Sequence, residues 1–338
     1  MRQRIVALVM ALAVAVGLGA CGSGAAASEV KILRVALNQT ETHPSYIALD
    51  HLSQRLEQQT DGRLRLDIFP NETLGAQAEV LQLVSDNIID LAIISTPQME
   101  NLSADFRVLG LPGVFDSVEH QMPVVHDPAI VGTLYTSLES SNRLTVLGGL
   151  TQGARNIYTK KELGSLADLA GVKIRVQESE LHLAMIRALG GSPTPMAYGE
   201  VYTALQSGVL DGAENNEVSY VTQKHFEVAP YYTDSHHLVG LDFMVASTEM
   251  LEGLSPADRA LLKAEWINTY KEHTQLWAAA TDQAIEDAKK GGATFTHLDQ
   301  DEIRARLKPL AEEYLTTPAQ REMYSKIRAA AGDEEGSR

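Results

Sequence analysis

Residues 171–217 read GVKIRVQESELHLAMIRALGGSPTPMAYGEVYTALQSGVLDGAENNE, and this stretch decides the fold. Its short apolar runs, bounded by Gly, Pro or Asp, are typical of buried strands, and its longer runs with apolar residues three and four apart are typical of helices. The predicted order is strand Val172–Val176, helix Glu180–Leu189, strand Pro193–Met196, helix Gly199–Gln206 and strand Leu210–Glu214. Such alternation predicts parallel strands covered by helices.

A second unit of the same kind lies nearer the N-terminus. It comprises strand Leu33–Leu37, a helix at about Ser45–Gln59, strand Leu64–Phe69, a helix at about Ala76–Ser85 and strand Asp90–Ile94. The roughly 310 residues that follow residue 29 favour two lobes over a single core. We therefore predict an α/β protein with two parallel or mixed sheets flanked by helices, one sheet in each lobe.

A long helix is predicted towards the C-terminus. It begins at an N-cap, Ser255, followed by Pro256, and it ends at Gly291 after about 35 residues, or roughly 50 Å. Because one small lobe is shorter than this, we expect the helix to brace both lobes. Lobe I is expected to comprise residues 31–151 with 238–275, and lobe II residues 152–237 with 276–330. The chain is predicted to cross between the lobes at Thr151–Asn156.

The N-terminus has the form of a lipoprotein signal peptide over residues 1–20. A basic start, Met1–Arg4, precedes the apolar run Ile5–Leu18, and Leu18–Cys21 reads LGAC, a bacterial lipobox. Cys21 is the only cysteine, so we expect it to be lipidated and residues 21–30 to form a flexible tether. Cleavage by the ordinary signal peptidase, with Cys21 incidental, is the alternative. Both interpretations place the mature chain outside the cytoplasm, and lipidation of Cys21 would also anchor it to the membrane.

The charge balance restricts the partners. The chain has 28 Lys and Arg against 44 Asp and Glu, a formal net charge of −16, which argues against nucleic acid as a ligand. An anion site in so acidic a chain must be local and built from a few arginines. The sequence also has no GxSxG elbow, no GxxxxGK loop and no HExxH pair, so we expect no catalytic residue, metal or cofactor.

Arg175 is the strongest candidate for an anion-binding residue. It stands at the carboxyl end of a predicted parallel strand, the end at which open α/β sheets bind ligands. A planar guanidinium holds a carboxylate through two parallel hydrogen bonds. The alternative is an edge-strand arginine whose head lies in water. From the residues alone, we favour contact with a carboxylate ligand.

Several motifs resemble the DctP-like family of solute-binding proteins of tripartite ATP-independent periplasmic (TRAP) transporters. The similarity extends over about residues 32 to 325 and is carried by PNETLG at Pro70–Gly75, GARN at Gly153–Asn156, KIRV at Lys173–Val176, SPTPMA at Ser192–Ala197, GEVYTALQ at Gly199–Gln206 and GAEN at Gly212–Asn215. It implies a two-lobed fold of the type II periplasmic-binding-protein kind.

The same resemblance implies a set of site residues. Arg175 matches the family's carboxylate-clamping arginine, Arg155 matches a second site arginine, and Asn215 matches an asparagine that hydrogen-bonds the carboxylate. We interpret Glu214 as a buried counter-charge, with acceptance from ligand hydroxyls as the alternative. Further ligand-binding candidates are Gln39, His43, Glu79, Gln152, Tyr198, Asn216 and Asp242. For His43 the alternative is a helix cap, for Glu79 a helix surface, and for Tyr198 packing at a helix start.

The resemblance also limits the ligand. The family binds organic acids, and GAENNEVSY at residues 212–220 looks like the branch that takes hexuronates. Asn216, Ser219 and Tyr220 suit a polyhydroxylated ligand, because each buried sugar hydroxyl needs a partner. Leu150–Gln152 departs from that branch, so a C4-dicarboxylate stays as an alternative. The implied partners are the small and large membrane permease subunits. A sensory lipoprotein and a periplasmic enzyme acting on organic acids are the alternatives from other classes.

Overall fold

The structure is a computed structural model and describes residues 30–335. The predicted signal peptide, Cys21 and the predicted tether up to residue 29 lie outside the described residues. Within the described part of the chain, no helix combines the length and the apolar character needed to cross a membrane.

The first predicted unit is present with small changes of boundary. It runs through β1 (Lys31–Ala36), α1 (Pro44–Gln59), β2 (Leu64–Phe69), α2 (Gln77–Ser85) and β3 (Leu91–Ser95). Strand β1 pairs in parallel with β2 on one side and β3 on the other. All of β3 is buried, which explains its continuous apolar sequence. This first unit, residues 31–95, therefore follows from its hydrophobic periodicity.

A helical segment that the sequence analysis did not assign follows β3. It contains α3 (Thr96–Leu102), a 3₁₀ turn (Ala104–Gly110), α4 (Val118–Val124), α5 (Pro128–Thr136) and α6 (Glu139–Asn142). These short helices contribute Phe106, Val125 and Val131 to the larger hydrophobic core. They lead into β4 (Leu144–Thr159), a strand of 16 residues.

The second predicted unit follows β4. It runs through β5 (Lys173–Val176), α7 (Glu180–Leu189), β6 (Ser192–Pro195), a 3₁₀ turn (Tyr198–Glu200), α8 (Val201–Ser207) and β7 (Gly212–Asn215). Strand β5 pairs in parallel with β6 and β7. Helix α7 has the predicted boundaries because Ser179 caps its first turn and Gly190, in the left-handed conformation, ends it. We refer to residues 173–215 as the second unit.

The rest of the chain begins with α9 (Glu217–Thr222) and β8 (Tyr231–Ser247). It continues through α10 (Thr248–Gly253), α11 (Pro256–Lys290), β9 (Thr294–His297), α12 (Gln300–Leu307), α13 (Pro309–Tyr314) and α14 (Pro318–Glu335). Helix α11 is the predicted long helix and has 35 residues.

The sheets of the two units are joined into one mixed sheet. The strand order is β2-β1-β3-β8-β4-β7-β5-β6, with β9 also paired to β8. This continuity arises because β4 and β8 are long antiparallel strands that reach both units: β8 pairs with β3, and β4 pairs with β7. The predicted α/β class with flanking helices is confirmed, but the two predicted sheets are hydrogen-bonded into one.

Strand β4 is irregular where the chain was predicted to cross between lobes. Its register with β8 shifts between Thr151 and Ala154, and Gly153 there has a φ of +61°. The Gly153 amide donates to Thr151 Oγ1 over 3.0 Å, which stabilises the bulge. A bulge re-aims the side chains that follow it. Arg155 is the second residue after Gly153.

Helix α11 lies directly against β4 through two Trp–Gly contacts. A Cβ atom on Gly148 would lie 2.5 Å from Trp266 Nε1, and one on Gly153 would lie 2.5 Å from Trp277 Nε1. The helix thus meets β4 before the bulge, at Gly148, and within it, at Gly153, where only glycine leaves room for an indole. Its N-terminal half also pairs with α1, where Arg55 donates to Glu265 over 2.8 Å. The C-terminal half packs against α9, so α11 contacts both halves of the chain.

Candidate functional site

A polar cavity lies where the strand ends of the first unit face those of the second. It is lined by Asn38, Gln39, Ser95, Gln152, Arg155, Arg175, Gln177, Tyr198 and Asn215. The predicted residues Gln39, Gln152, Arg155, Arg175, Tyr198 and Asn215 are brought together here. Two adjoining cavities share Gln177 with it. Polar side chains converging on a cleft between strand ends are typical of a ligand site.

Arg175 is a buried cation with free donors. Its side chain leaves β5 and is 4% exposed, with Nε and Nη2 donating to the Met196 carbonyl over 2.9 and 2.7 Å. Among the described residues, no carboxylate lies within ion-pair distance of it, and Nη1 makes no hydrogen bond. Burial lowers the pKa of Arg175, yet a guanidinium stays protonated in proteins. The arrangement leaves a positive charge and several N–H donors for an anionic ligand.

Arg155 is buried as well, but its donors are all engaged. Nε donates to Glu214 Oε2 over 2.6 Å, and Nη2 donates to Glu214 Oε1 over 2.8 Å and to its carbonyl over 3.0 Å. Nη1 donates to Gln152 Oε1 over 2.5 Å and to Asn215 Oδ1 over 3.0 Å. A guanidinium has only five N–H groups, so none is left over. In this geometry Arg155 orients Gln152 and Asn215, which line the cavity beside it.

Glu214 balances the charge of Arg155. It is 1% exposed, and His237 Nε2 lies 3.4 Å from Oε2 while His182 Nδ1 lies 3.7 Å from Oε1. Burial alone would raise the pKa of Glu214, but the charge and hydrogen bonds of Arg155, together with the nearby imidazoles of His182 and His237, hold it well below its usual range. Glu214 is therefore ionised and pairs with Arg155, which leaves Arg175 as the unbalanced charge of the cavity.

Asp242 lies behind the cavity rather than in its lining. Gln152 Nε2 donates to Asp242 Oδ1 over 2.5 Å, so Asp242 acts on the cavity through Gln152. Burial raises the pKa of Asp242 to about 6, although the hydrogen bond from Gln152 and the charge of Arg155 oppose the shift. A buried aspartate of this kind stabilises the fold most when it is protonated.

The pH dependence of stability is expected to reveal Asp242. Because its folded pKa lies above the unfolded value of 3.8, its favourable contribution is complete below pH 3.8 and is lost as the pH rises through about 6. Asp242→Asn removes the titration but retains an oxygen that accepts from Gln152. Urea unfolding from pH 4 to 7.5 should show wild type losing about 3 kcal/mol relative to the variant. Parallel pH profiles for the two proteins would contradict this assignment.

Three predicted residues lie outside the cavity lining, at the first turns of helices. His43 caps α1 through Nδ1, which accepts from Ser45 N over 3.2 Å, and burial lowers its pKa to about 3. Glu79 is exposed on α2, where its carboxylate accepts from Ala76 N over 3.2 Å. His43 thus caps a helix and Glu79 lies on a helix surface, as the alternatives to ligand binding anticipated.

Asn216 is the third of these residues. Its Oδ1 accepts from Ser219 N over 2.8 Å and so caps α9, while its Nδ2 donates to Asn215 Oδ1 over 3.1 Å. Asn216 therefore supports Asn215 from behind, and no surface of it lines the cavity.

Ser95 and Gln177 line the cavity but were absent from the sequence prediction. Gln177 follows Arg175 by two residues and so continues the same face of the strand. The two-residue repeat of side chains along a strand would have identified it from the sequence. Ser95 ends β3, as Asn38 and Gln39 follow the end of β1. Among the described residues, Asn38 Oδ1, Gln39 Oε1 and Tyr198 OH are buried without a hydrogen-bond partner. Such groups are suited to ligand hydroxyls.

A larger cavity lies elsewhere. It lies between the middle of β8 and helices α12 to α14, and it is walled by apolar side chains such as Phe115, Leu238, Ile303 and Leu307. None of the predicted ligand-binding residues lines it. Within residues 30–335, no group of three or more His, Cys, Asp or Glu side chains is placed to hold a metal ion. The converging polar groups and the unbalanced cation instead assign the candidate site to the smaller cavity.

The fold and this cleft define the class of α/β proteins that bind a small molecule between two units. The chain belongs to the DctP family of bacterial extracellular solute-binding proteins, family 7, whose model matches residues 35–317. The resemblance found in the sequence is thereby confirmed. Members of this family are substrate-binding transport proteins that lie outside the cytoplasm and work with membrane permeases.

Individual relatives cover most of the chain. The protein YiiZ of Salmonella typhimurium is 33% identical over 305 residues, which is 88% of this chain and 91% of that protein. A TRAP solute-binding protein from Anaerococcus prevotii, solved with bound D-glucuronate, has a TM-score of 0.86 at 33% identity, over 90% of this chain and 99% of that chain. One from Xanthobacter autotrophicus, with bound β-D-galacturonate, has a TM-score of 0.84 at 30% identity, over 88% of this chain and 99% of that chain.

Proposed function

We propose that this chain captures a hexuronate outside the cytoplasm and delivers it to a TRAP permease without chemical change. The observation that carries the proposal is the buried guanidinium of Arg175, which has free donors and no carboxylate partner among the described residues. The carboxylate of the ligand supplies that partner. Similar solved structures that contain glucuronate and galacturonate support the choice of acid.

The saturation of Arg155 favours a monocarboxylate over a C4-dicarboxylate. Of the two arginines that line the cavity, only Arg175 has donors to spare, since Glu214, Gln152 and Asn215 take those of Arg155. A second ligand carboxylate would be desolvated without a cation, which is costly. Sugar hydroxyls instead meet neutral acceptors and donors on Asn38 and Tyr198.

Binding is expected to shift the two units further towards the closed arrangement that the structure shows, in which Glu72 already accepts from Gly199 N across the cleft. The carboxylate docks on Arg175 beside Asn215, and the strand ends of the first unit then cover the sugar ring. One hydrogen bond to a charged group contributes roughly 1.5–3 kcal/mol. Two or three such bonds together with closure are sufficient for micromolar affinity, about 8 kcal/mol. The permease pair would recognise the closed form.

A thermal-shift screen tests the proposed ligand. D-glucuronate, D-galacturonate and succinate are each added over a range of concentrations, because a ligand that binds only the native state raises its melting temperature by mass action. We expect both hexuronates to raise it at lower concentration than succinate. A shift by succinate alone would favour the dicarboxylate function. Recovery of a chemically altered acid after long incubation would indicate an enzyme.

We also propose that lipid on Cys21 anchors the chain. The LGAC sequence at residues 18–21 carries this inference. In a membrane fractionation of the producing cells, wild type should sediment with membranes, whereas Cys21→Ser should lose lipid labelling and membrane association. Equal distribution of the two proteins would leave Cys21 incidental.

A further inference from the structure

Glu72 lies at the rim of the cleft on a tightly held loop. Asn71 and Glu72, between β2 and α2, have φ values of 58° and 54°, a left-handed conformation that costs free energy for residues with side chains. Their amides donate to the carbonyls of Gln39 and Leu37 over 3.0 and 3.3 Å. The loop is therefore fixed to the end of β1, and the direction of the Glu72 side chain is set by the first unit.

The carboxylate of Glu72 bonds across the cleft to the second unit. Its Oε2 accepts from the backbone amide of Gly199 over 3.0 Å, although the two residues are 127 positions apart. A Cβ atom on Gly199 would lie 2.5 Å from that oxygen, so a side chain there would displace the carboxylate. Gly199 directly follows Tyr198, whose ring lies 5.7 Å from the Arg175 guanidinium.

Other polar contacts join α3, which follows the first unit, to the loop that follows β5 in the second unit. Asn101 Nδ2 donates to the Glu178 carbonyl over 2.8 Å, and Ser179 Oγ donates to Glu100 Oε2 over 2.9 Å. These contacts follow β3 and β5, whereas Glu72 and Gly199 follow β2 and β6. Because β2 and β6 are the strands farthest out in the two units, the Glu72 bond bridges the cleft at its outer side.

We propose that Glu72 determines specificity: it bridges the closed cleft to Gly199 and disfavours dianionic ligands. The inference rests on the proposed function and names the residue that separates hexuronates from dicarboxylates. One cavity is lined by Glu72, Gln98, Arg175 and Tyr198, and it adjoins the cavity that contains Asn215. One ligand carboxylate balances Arg175. A second carboxylate would share the cavity with the charge of Glu72.

The charges around Glu72 strengthen this selection. Arg175 contributes positive charge near Glu72, while Glu200 and Glu178 contribute negative charge. In a partly buried cleft, like charges repel more strongly than in bulk water. The rim therefore admits a neutral polyhydroxylated ring and rejects a second anion.

Isothermal titration of Glu72→Gln and Glu72→Ala with D-glucuronate and succinate tests the proposal. Glutamine keeps an oxygen for the Gly199 amide but removes the charge, so the affinity for succinate should rise about 10-fold and that for glucuronate should change by less than about 3-fold. Alanine removes the bridge as well, so the affinity for glucuronate should fall about 10-fold.

Two further variants test whether the selectivity between the two acids arises from Glu72 itself and from its hydrogen bond to Gly199. Glu200→Gln removes an equal charge next to Gly199 but no hydrogen bond, and it should change the ratio of the two affinities less than Glu72→Gln does. Gly199→Ala should weaken glucuronate binding as Glu72→Ala does, and the double variant should add little. Proportional changes for both acids in Glu72→Gln, or additive effects in the double variant, would overturn the proposal.

Hydrogen exchange of the ligand-free protein separates the bridge from the identity of the ligand. The Gly199 amide should exchange faster in Glu72→Ala than in wild type, since it loses its acceptor. Equal exchange would overturn the bridge. If wild type binds no hexuronate, the proposed function and the selectivity fail together, and the exchange measurement still decides whether Glu72 holds the cleft.

Discussion

Arg175→Ala is expected to abolish hexuronate binding, with a Kd at least about 100-fold weaker than that of wild type. The guanidinium is the only unbalanced cation in the cavity, and truncation leaves the ligand carboxylate buried without a charged partner. Isothermal titration with D-glucuronate gives the loss directly. Circular dichroism of the variant shows whether the fold is retained.

Two control variants show whether the charge of Arg175 or the geometry of its donors is responsible for the loss of binding. Arg175→Lys keeps the charge but loses the planar pair of donors, so we expect an intermediate loss of about 10-fold. Arg187→Ala removes an exposed arginine from the last turn of α7 and should bind as wild type does. Micromolar affinity in Arg175→Ala would place the carboxylate elsewhere and overturn the assignment.

Glu214→Ala is expected to lower the free energy of unfolding by about 3–5 kcal/mol at pH 7, the cost of leaving a buried charge unpaired. Arg155 would lose the carboxylate that accepts from Nε and Nη2, in a place where both side chains are at most 2% exposed. Urea unfolding of wild type and variant measures the difference. Binding should weaken too, because Arg155 would no longer hold Gln152 and Asn215 in place.

The pH dependence and a second variant identify the cause. The folded pKa of Glu214 lies below its ordinary value of 4.5, so its contribution is complete above pH 4.5 and is lost as the pH falls towards the folded pKa. The difference in unfolding free energy between the two proteins should therefore be constant above about pH 4.5 and narrow progressively as the pH falls below it. Arg155→Met combined with Glu214→Met removes both charges and should cost less than Glu214→Ala. A costlier double variant would show that packing, rather than pairing, dominates.

Much of the fold was predictable because its signals are local. Helix α7 begins after its Ser179 cap and ends before Gly190, and α11 begins at Ser255–Pro256, all of which a reader of the sequence can identify. The parallel strands are short apolar runs between such helices. Each of these features depends on residues within a few positions of one another.

The joining of the sheets was not predictable in the same way. Strand β8 spans Tyr231–Ser247, but residues 233–237 read TDSHH, and these polar residues interrupt the apolar alternation that marks a strand. They are held by distant partners: the amides of Ser235 and His236 both donate to Asn156 Oδ1. Partners that lie about 80 positions away leave no local signal.

The site residues also differ in whether local sequence patterns predict their positions and contacts. The position of Arg175 at a strand end, and hence its place in the cleft, follows from the pattern of the second unit. The engagement of every Arg155 donor does not, because it depends on how Glu214 and Asn215 meet Arg155 across the β4–β7 pairing. The capping by Asn216, by contrast, has a local signal, because asparagine is a preferred N-cap residue, whereas the capping by His43 Nδ1 depends on the backbone geometry at the helix start.

The two indoles of α11 give the protein a built-in optical reporter. Trp266 and Trp277 are its only tryptophans. Trp266 contacts Gly148 before the bulge of β4, and Trp277 contacts Gly153 within it. Trp277 also contacts the imidazole of His43, at a ring separation of 5.4 Å. Any bending of β4 as acid enters the cleft alters the surroundings of these rings. Intrinsic emission can therefore follow capture and release in real time without an added dye, and replacing either indole with phenylalanine isolates the signal of the other.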